Sequence, residues 1–444
     1  MNYSFENARL GDFCLKVGSG ATPRGGKEVY LETGEFSLIR SQNILNNQFS
    51  TGGLAYITAE AADNLSGVSV EADDVLLNIT GDSVARCCSA PRYVLPARVN
   101  QHVAIIRPDP AELISTFVRY FLVSPSQQDH MLKLASSGAT RNALTKGMIE
   151  DFSIPKPDID TQRAIVKILG DIDGKIDLLR EMNRTLEDIA RAVFGAWFVD
   201  FEPVRAKASG ATSFQGMPQK LFDTLPDNFE PSEVGDIPAG WSTEPLIDQA
   251  DWINGAAYKN MHFSTVSDAL PVVKIAELKK GIGANTKFSN TDLGDKYRIK
   301  TGELMFSWSG SPETSIDAFI WALGDAWLNQ HIFVVRPNGK KKVGYLFALL
   351  KHLKPKLIAI AKDKQTTGLG HVTREDMKRM HVCEPSEEIL DWFSDFGQNI
   401  YDRILSNLVE MDQLADLRDT LLPKLISGEL KAPNLEALGL EGGE

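Results

Sequence analysis

The chain has 444 residues, enough for several domains at roughly 100–200 residues each. Hydrophobic residues make up 43% of it and charged residues 24%, a balance that excludes a disordered or fibrous protein. The net charge of −12 argues at first against a nucleic-acid partner, but residues 242–385 have a basic excess whereas residues 386–444 are strongly acidic.

Neither a membrane protein nor a secreted one is indicated. No stretch reaches the ~18 apolar residues that a membrane span needs, and residues 1–12 contain no apolar core of a signal peptide. We therefore expect a cytoplasmic location and no membrane partner. The cysteines lack CxxC spacing, so the sequence favours free thiols over a disulfide or metal framework.

Residues 1–159 are predicted to form a mixed α/β domain. The apolar runs at 75–79 and 103–106 are typical of strands, and residues 113–122 are predicted to be helical. A connector rich in Pro, Gly, Ser and Asp is then predicted to cross a surface at 200–241.

Residues 242–385 are predicted to form a second mixed α/β domain, with a strand at 332–335 and a helix at 345–353. This domain repeats the first one. The triplet Asn329-Gln330-His331 repeats Asn100-Gln101-His102, and matching segments keep their order along both halves.

Each domain is followed by a predicted long helix, at 160–199 and at 386–430, with a tail at 431–444. Both helices have apolar residues at steps of three and four, which indicate one apolar face. The seam so predicted contains Ile165, Ile168, Leu169, Ile172, Ile176, Leu179, Met182, Leu186, Ile189 and Val193 in the first helix, and Ile389, Phe393, Phe396, Ile400, Ile404, Leu408, Met411, Leu414, Leu417 and Leu421 in the second.

Two long apolar faces in one chain most simply pack on each other. The alternative is that each helix lies on its own globular half. The predicted fold class is therefore α/β (mixed α+β), with two pseudo-repeated domains joined by two long antiparallel coiled-coil helices.

Catalytic motifs are not evident. The segment 20–27 approaches a Walker A loop, but Ala21 replaces the first glycine and Glu28 follows the lysine. We find no dinucleotide-binding fingerprint, no amino-methyltransferase tetrapeptide and no paired-carboxylate pattern. His102 and His331 are expected to be structural residues at strand starts, with a DNA-facing role as the alternative. The sequence thus predicts a binding module.

The doubled architecture resembles the specificity subunit of Type I restriction–modification systems. The most specific pieces are the C-terminal run 417–430 and the segment from 186 to 204, together with the entry loops 18–23 and 253–259. The resemblance implies that the two α/β repeats are target recognition domains and that the helices form an antiparallel spacer between them. It also implies a bacterial or archaeal protein.

The partners are implied in the same way. They are double-stranded DNA with an asymmetric bipartite target, two modification subunits that methylate adenine, and the restriction subunits that act as motor nucleases. No cofactor is expected in this chain, because S-adenosylmethionine, ATP and Mg belong to the partners. Two other functions stay open at this stage: a coiled-coil scaffold that does not bind DNA, and a self-contained methyltransferase or nuclease.

DNA contacts are expected from loop side chains, since Arg, Asn and Gln read base edges whereas Lys, Ser and Thr position phosphates. The entry-loop glycines are expected to let the backbone approach DNA. The predicted DNA-binding residues are Ser19, Thr22, Arg24, Lys27, Arg40, Gln42, Asn43, Arg141 and Asn142 in the first repeat, and Asn254, Tyr258, Lys259, Lys274, Thr366, Thr367 and His371 in the second.

Two other groups allow more than one interpretation. The lysines 340–342 are expected to form a solvated turn, with a phosphate clamp as the alternative. The aromatic residues Phe194, Trp197, Phe198 and Phe201 are expected to lie in a core, or otherwise to dock a modification subunit.

Overall fold

The computed structural model describes residues 5–136, 143–339, 341–365 and 368–433. The chain divides into two compact units, Met1–Lys175 with Leu414–Glu444 and Ile176–Gln413. The first unit therefore contains the first repeat, and the second unit contains the second repeat.

Among its described residues, the first repeat forms two four-stranded sheets. One is antiparallel throughout, in the order Cys14–Ser19, Val103–Pro108, Val75–Asn78 and Cys87–Ser89. The other has parallel central strands, in the order Ala55–Ile57, Phe36–Ile39, Ala97–Val99 and Ser69–Val70. Shorter pairs join Asn7–Arg9 to Ser153–Pro155 and Ile44–Leu45 to Gln48–Phe49. The helices are Ala59–Asn64, Ser115–Val123, Pro125–Ser136 and Lys146–Glu150.

The described part of the second repeat has the same strand order. Its antiparallel sheet contains Asp251–Asn254, Ile332–Arg336, Leu304–Ser307 and Asp317–Ile320. Its other sheet contains Phe288–Ser289, Leu270–Val273, Ala326–Leu328 and Arg298–Ile299. Shorter pairs join Ser242–Pro245 to His381–Glu384 and Ser309–Gly310 to Gly370–His371. The helices are Ile275–Lys280, Pro312–Ser315, Val343–Asp363 and Arg374–Arg379.

The register of the parallel strands confirms the internal repeat that the sequence predicts. Val99 pairs with Ile39 in the first repeat, and Leu328 pairs with Val273 in the second. The helix caps repeat as well, because the hydroxyls of Thr145 and Thr373 each accept a backbone N–H at 3.2 Å.

The two long helices are Ile159–Phe198 and Glu387–Ser427. In the first unit, Ile165 and Leu169 share an apolar cluster with Leu422 and Leu425. In the second unit, Trp197 stacks on Trp392 with ring centroids 4.9 Å apart. In each unit the residue numbers of one helix rise as those of the other fall, so the segments pack antiparallel, as predicted.

A buried amide pair interrupts the apolar seam in the second unit. Asn407 donates from Nδ2 to Oδ1 of Asn183 at 2.7 Å. Asn407 is 0% exposed and Asn183 is 8% exposed. Oδ1 of Asn407 has no hydrogen-bond partner among the described residues. This polar contact lies between two faces that are otherwise mostly aliphatic.

Two residues of the predicted seam do not lie in it. Ile189 is 42% exposed and Leu417 is 46% exposed. These two residues occupy the same position in the two repeats. Both follow the apolar spacing of three and four residues, but the neighbouring helix covers only part of each apolar face and leaves this position exposed.

The segment after the first long helix is more than a surface connector, which corrects the prediction. It forms the helices Glu202–Ala208 and Gln219–Thr224 and a hairpin of Phe229–Ser232 with Gly235–Pro238. Its buried apolar side chains join the core of the second unit; they are Phe201, Val204, Met217, Leu221, Phe222, Leu225, Ile237 and Trp241. The aromatic residues Phe194, Trp197 and Phe198 lie in the same core, which confirms the first of the two interpretations for that group.

A pair of glycines brings two helices of the second unit together. The predicted helix at 345–353 is longer in the structure, Val343–Asp363, and crosses the second long helix near its own start. A Cβ on Gly344 would lie 2.2 Å from the carbonyl carbon and oxygen of Gly397. Only glycine permits that backbone approach.

A partly buried carboxylate connects three elements of the first unit. The Tyr120 hydroxyl donates to Oδ2 of Asp173 at 2.7 Å. Nη1 of Arg418, on the second long helix, donates to Oδ1 at 3.1 Å. Nη2 of Arg119 lies 3.9 Å from Oδ2 of Asp173. Asp173 therefore links the first repeat to both long helices and balances two largely buried guanidinium groups.

We expect the stability of the second unit to decrease on mild acidification because of His352. Its ring lies 5.5 Å from that of Phe194, and desolvation lowers its pKa below the usual 6.5. A depressed folded-state pKa contributes stability above the unfolded pKa and loses it as pH falls through the folded pKa. The melting temperature of wild type should therefore fall more between about pH 7 and pH 5.5 than that of His352→Gln.

The matched control for this prediction is His130→Gln, at an exposed position of the first repeat. This variant removes an imidazole that lies outside the core of the second unit. Identical profiles for His352→Gln and wild type would contradict the role of His352.

The cysteines are free thiols, as the sequence predicts. Cys87, Cys88 and Cys383 are buried, and Cys14 is half-buried. Desolvation raises the pKa of Cys14, Cys88 and Cys383 to about 12. These thiols are protonated at neutral pH and therefore poorly reactive.

Candidate nucleic-acid interface

The carboxyl ends of three strands meet at one edge of the first repeat. They are Phe36–Ile39, Val75–Asn78 and Ala97–Val99. The Asn100 N–H donates to the Ile39 carbonyl at 3.0 Å, and the Ile79 N–H donates to that of His102 at 3.0 Å. The loops that follow these strands are therefore held together.

These loops line a polar cavity of about 420 Å³. It is open to solvent, and its side chains offer hydroxyl, amide, carboxylate, guanidinium and imidazole groups. The lining residues are Ser41, Gln42, Thr80, Gly81, Asp82, Ser83, Arg86 and His102. Donors and acceptors so close together suit recognition of base edges.

In the Asn-Gln-His triplet of the first repeat, the asparagine is buried and supports the turn, whereas the glutamine and the histidine lie at the strand-end edge. Asn100 is buried, and its Oδ1 accepts the His102 N–H at 3.1 Å. Nδ1 of His102 lies 2.6 Å from the Thr80 hydroxyl, and Nε2 lies 3.2 Å from the Gln101 amide nitrogen. The imidazole is thus fixed by neighbours on both sides while it lines the cavity.

The corresponding edge of the second repeat carries different side chains. Trp308 follows the strand Leu304–Ser307 where the first repeat has Ile79. The indole Nε1–H of Trp308 donates to Oδ1 of Asn254 at 2.9 Å. The His331 ring lies 5.7 Å from that of Trp308. Ser309 pairs with His371, and the corresponding bridge of the first repeat joins Thr80 to Ala143.

Two entry-loop glycines, Gly20 and Gly255, are required by the protein's own packing, whereas a Cβ on Gly18 would meet no atom within 4 Å. A Cβ on Gly20 would lie 2.1 Å from the Val99 carbonyl oxygen. A Cβ on Gly255 would lie 2.2 Å from the Asn329 carbonyl oxygen. Each entry loop therefore lies directly against the strand end that precedes the Asn-Gln-His triplet.

Several predicted residues of the first repeat lie at or beside this edge. Ser19, Thr22, Arg24 and Gln42 are exposed. Thr22 donates to the side-chain oxygen of Gln101. Gln42 and Arg40 both donate to the Gly53 carbonyl, and the Arg40 guanidinium lies 5.4 Å from the Tyr30 ring.

Asn43 is not a surface side chain, contrary to its predicted role. It is 0% exposed. Its Oδ1 accepts the Arg40 N–H at 3.0 Å, and its Nδ2 donates to the Ser50 carbonyl at 2.9 Å. Glu277 accepts the Lys274 N–H in the same way in the second repeat, at 3.0 Å. The position supports the loop.

Tyr258 is also buried rather than available to DNA. It is 7% exposed, and its hydroxyl donates to the Thr291 carbonyl at 3.3 Å. By contrast, Lys259 and His371 are exposed, and Asn254 and Lys274 are half-buried. Ser19 corresponds to Asn254, and Arg40 to Lys274, so four predictions fall on two repeated positions.

Four of the predicted residues cannot be placed. Arg141, Asn142, Thr366 and Thr367 lie outside the described residues. Lys27 belongs to the short helical turn Gly26–Val29. The sequence analysis did not predict four residues that line the cavity, namely Thr80, Asp82, Ser83 and Arg86. Their position in the loop after a predicted strand could have indicated them.

Of the lysines 340–342, Lys340 lies outside the described residues and Lys342 is exposed, as expected of a solvated turn, whereas Lys341 departs from that expectation. The Lys341 side chain is 11% exposed and forms an ion pair with Glu384 at 2.6 Å. Lys342 bonds Asp395 on the second long helix at 2.5 Å. Burial raises the pKa of Glu384, and the Lys341 ammonium opposes that shift. Both described lysines therefore form ion pairs within the second unit.

Neither a metal cluster nor a membrane span is found within the described ranges. No group of three or more His, Cys, Asp and Glu residues there could hold a metal ion. Nor is any helix in the same ranges long and apolar enough to cross a bilayer.

Two α/β repeats with polar strand-end sites, joined by long helices, define a duplicated recognition protein. Comparison with known proteins identifies its family. The model of the Type I restriction modification DNA specificity domain matches residues 2–188 and 227–415. The chain therefore belongs to this family: it is a DNA-binding, non-catalytic specificity subunit of a Type I restriction–modification system.

Individual relatives agree. The HindI specificity subunit of Haemophilus influenzae is 26% identical over 373 residues, 75% of this chain and 81% of the relative. The MjaIX specificity subunit of Methanocaldococcus jannaschii is 24% identical over 322 residues, 71% of this chain and 69% of the relative. In fold, the chain resembles the S subunit from M. genitalium, with a TM-score of 0.52, 14% identity and 96% coverage of both chains.

Proposed function

We propose that this chain reads an asymmetric bipartite DNA target, with one half-site for each repeat and the long helices setting the spacing. The observation that carries the proposal is the repeated strand-end site with different side chains. Thr80 in the first repeat corresponds to Ser309 in the second, and Ile79 corresponds to Trp308. Because the two repeats share a fold but carry different side chains at the strand-end site, we expect them to recognise two different half-sites.

The proposal includes two modification subunits that methylate adenine and motor nuclease subunits that join the complex in the cytoplasm of a bacterium or archaeon. S-adenosylmethionine, ATP and Mg would bind those partners rather than this chain. The exposed residues Ile189 and Leu417 support binding of two copies of one modification subunit, because the same exposed apolar position occurs on each long helix.

Sequencing of modified adenines in the host genome tests the bipartite target. One asymmetric two-part motif should be methylated, and deletion of this gene should abolish that methylation. Exchange of residues 242–385 for the corresponding segment of a relative should alter one half of the motif. Methylation that persists without the gene would contradict the proposal.

We expect the double variant Ile189→Asp/Leu417→Asp to lose co-purifying modification subunit, because each change places a charge in a proposed apolar contact. The matched control is Leu178→Asp. Leu178 is 55% exposed on the first long helix, but its corresponding residue in the repeat is Ser406. Equal loss in both variants would contradict the docking role of the repeated position.

A further inference from the structure

We propose that Trp308 contacts the C5-methyl group of a thymine in the half-site read by the second repeat. The inference rests on the proposed function of that repeat. It concerns what the strand-end site of the second repeat can recognise and the first cannot.

The indole of Trp308 has only carbon surface left to offer. Its single donor, Nε1–H, is bonded to Oδ1 of Asn254 at 2.9 Å. The side chain is half-buried, and its ring lies 6.0 Å from that of Phe333, inclined by 35°. A tryptophan held in this way cannot donate to a base, so it selects by apolar contact.

At the strand-end edge, Trp308 lies among polar side chains. Its neighbours at the edge are Asn254, Ser309, His331 and His371, and each carries hydrogen-bonding groups. An apolar surface in such an interface is stabilised on binding when it meets another apolar group. Among the base edges exposed in the major groove, that group is the C5-methyl of thymine.

Insertion between base pairs is less compatible with this geometry. Intercalating side chains project from the protein as wedges. Trp308 instead packs against the core of its own unit and is fixed by Asn254. In the first repeat the corresponding Ile79 is 7% exposed, so this position offers little apolar surface there.

The experiment replaces single thymines of the target by deoxyuridine, which removes only the methyl group. The full complex with its modification subunits is titrated with these duplexes, after the motif is known from the host genome. One replacement in the half-site of the second repeat should weaken binding about fourfold, the effect of one buried methyl-sized group. Trp308→Ala should abolish this dependence on the methyl group.

Two variants keep the outcome interpretable. Trp308→Phe retains the carbon surface and should retain the methyl dependence. Gln42→Ala, in the first repeat, should weaken binding of all these duplexes equally and leave the ratio unchanged. If no thymine replacement matters in wild type, or the ratio survives in Trp308→Ala, the inference is overturned. A complex that does not distinguish its motif from scrambled DNA would instead overturn the proposed function.

Discussion

Replacement of Asp173 by alanine is expected to lower the free energy of unfolding by about 2 kcal/mol, because the partly buried carboxylate accepts two hydrogen bonds, one of them from a charged group. The carboxylate accepts hydrogen bonds from Tyr120 and Arg418 and lies near Arg119. The alanine variant would leave the Arg119 side chain, which is only 10% exposed, without the nearby carboxylate. Arg418, whose side chain is 18% exposed, would keep only its ion pair with Asp419. Urea denaturation followed by circular dichroism measures the effect.

The matched control is Asp171→Ala on the same helix. Asp171 is 63% exposed and pairs with Lys167 four residues earlier. Loss of an exposed pair of this kind costs at most about 1 kcal/mol. If both variants lose the same stability, Asp173 does not connect the first repeat to the helices in the way that its contacts indicate.

Replacement of Gly344 by alanine is expected to cost about 3 kcal/mol, at the upper end for overpacking of a core. The new Cβ would lie 2.2 Å from backbone atoms of Gly397, so one helix must move. Movement there would disturb the buried aromatic residues Tyr345 and Phe393, whose rings lie 5.8 Å apart. Thermal unfolding and near-ultraviolet circular dichroism would report both changes.

Gly174→Ala gives a control of opposite sign. Gly174 lies inside the first long helix, and a Cβ there meets no atom within 4 Å. Alanine should raise stability by about 1 kcal/mol, since glycine is the weaker helix former. A similar loss in both variants would show that space around Gly344 is not the cause.

The architecture could be predicted because its signals are periodic and repeated. The Asn-Gln-His triplets mark the same turn twice, and steps of three and four mark both long helices. The connector could not be predicted in this way. Its Pro, Gly and Ser residues indicate a loop, but Phe201, Phe222 and Trp241 are buried by residues that are distant in sequence.

The site was predictable by location more than by residue. Gln42 and Thr22 lie at the strand-end edge, as the loop pattern suggests. Asn43 and Tyr258 follow the same pattern but are buried, because a local carbonyl or an aromatic neighbour takes up each side chain. Residue type indicates which contacts a side chain can make, and tertiary packing decides which it makes.

The amide pair of Asn183 and Asn407 has a consequence for how the two long helices choose their alignment. Leucines at both positions would bury more apolar surface and strengthen the association. Asparagines instead penalise every shifted pairing, because either amide would then face a hydrocarbon side chain without a partner. This stretch of the seam is therefore less stable than a pair of leucines would make it, but it permits only one alignment of the two helices.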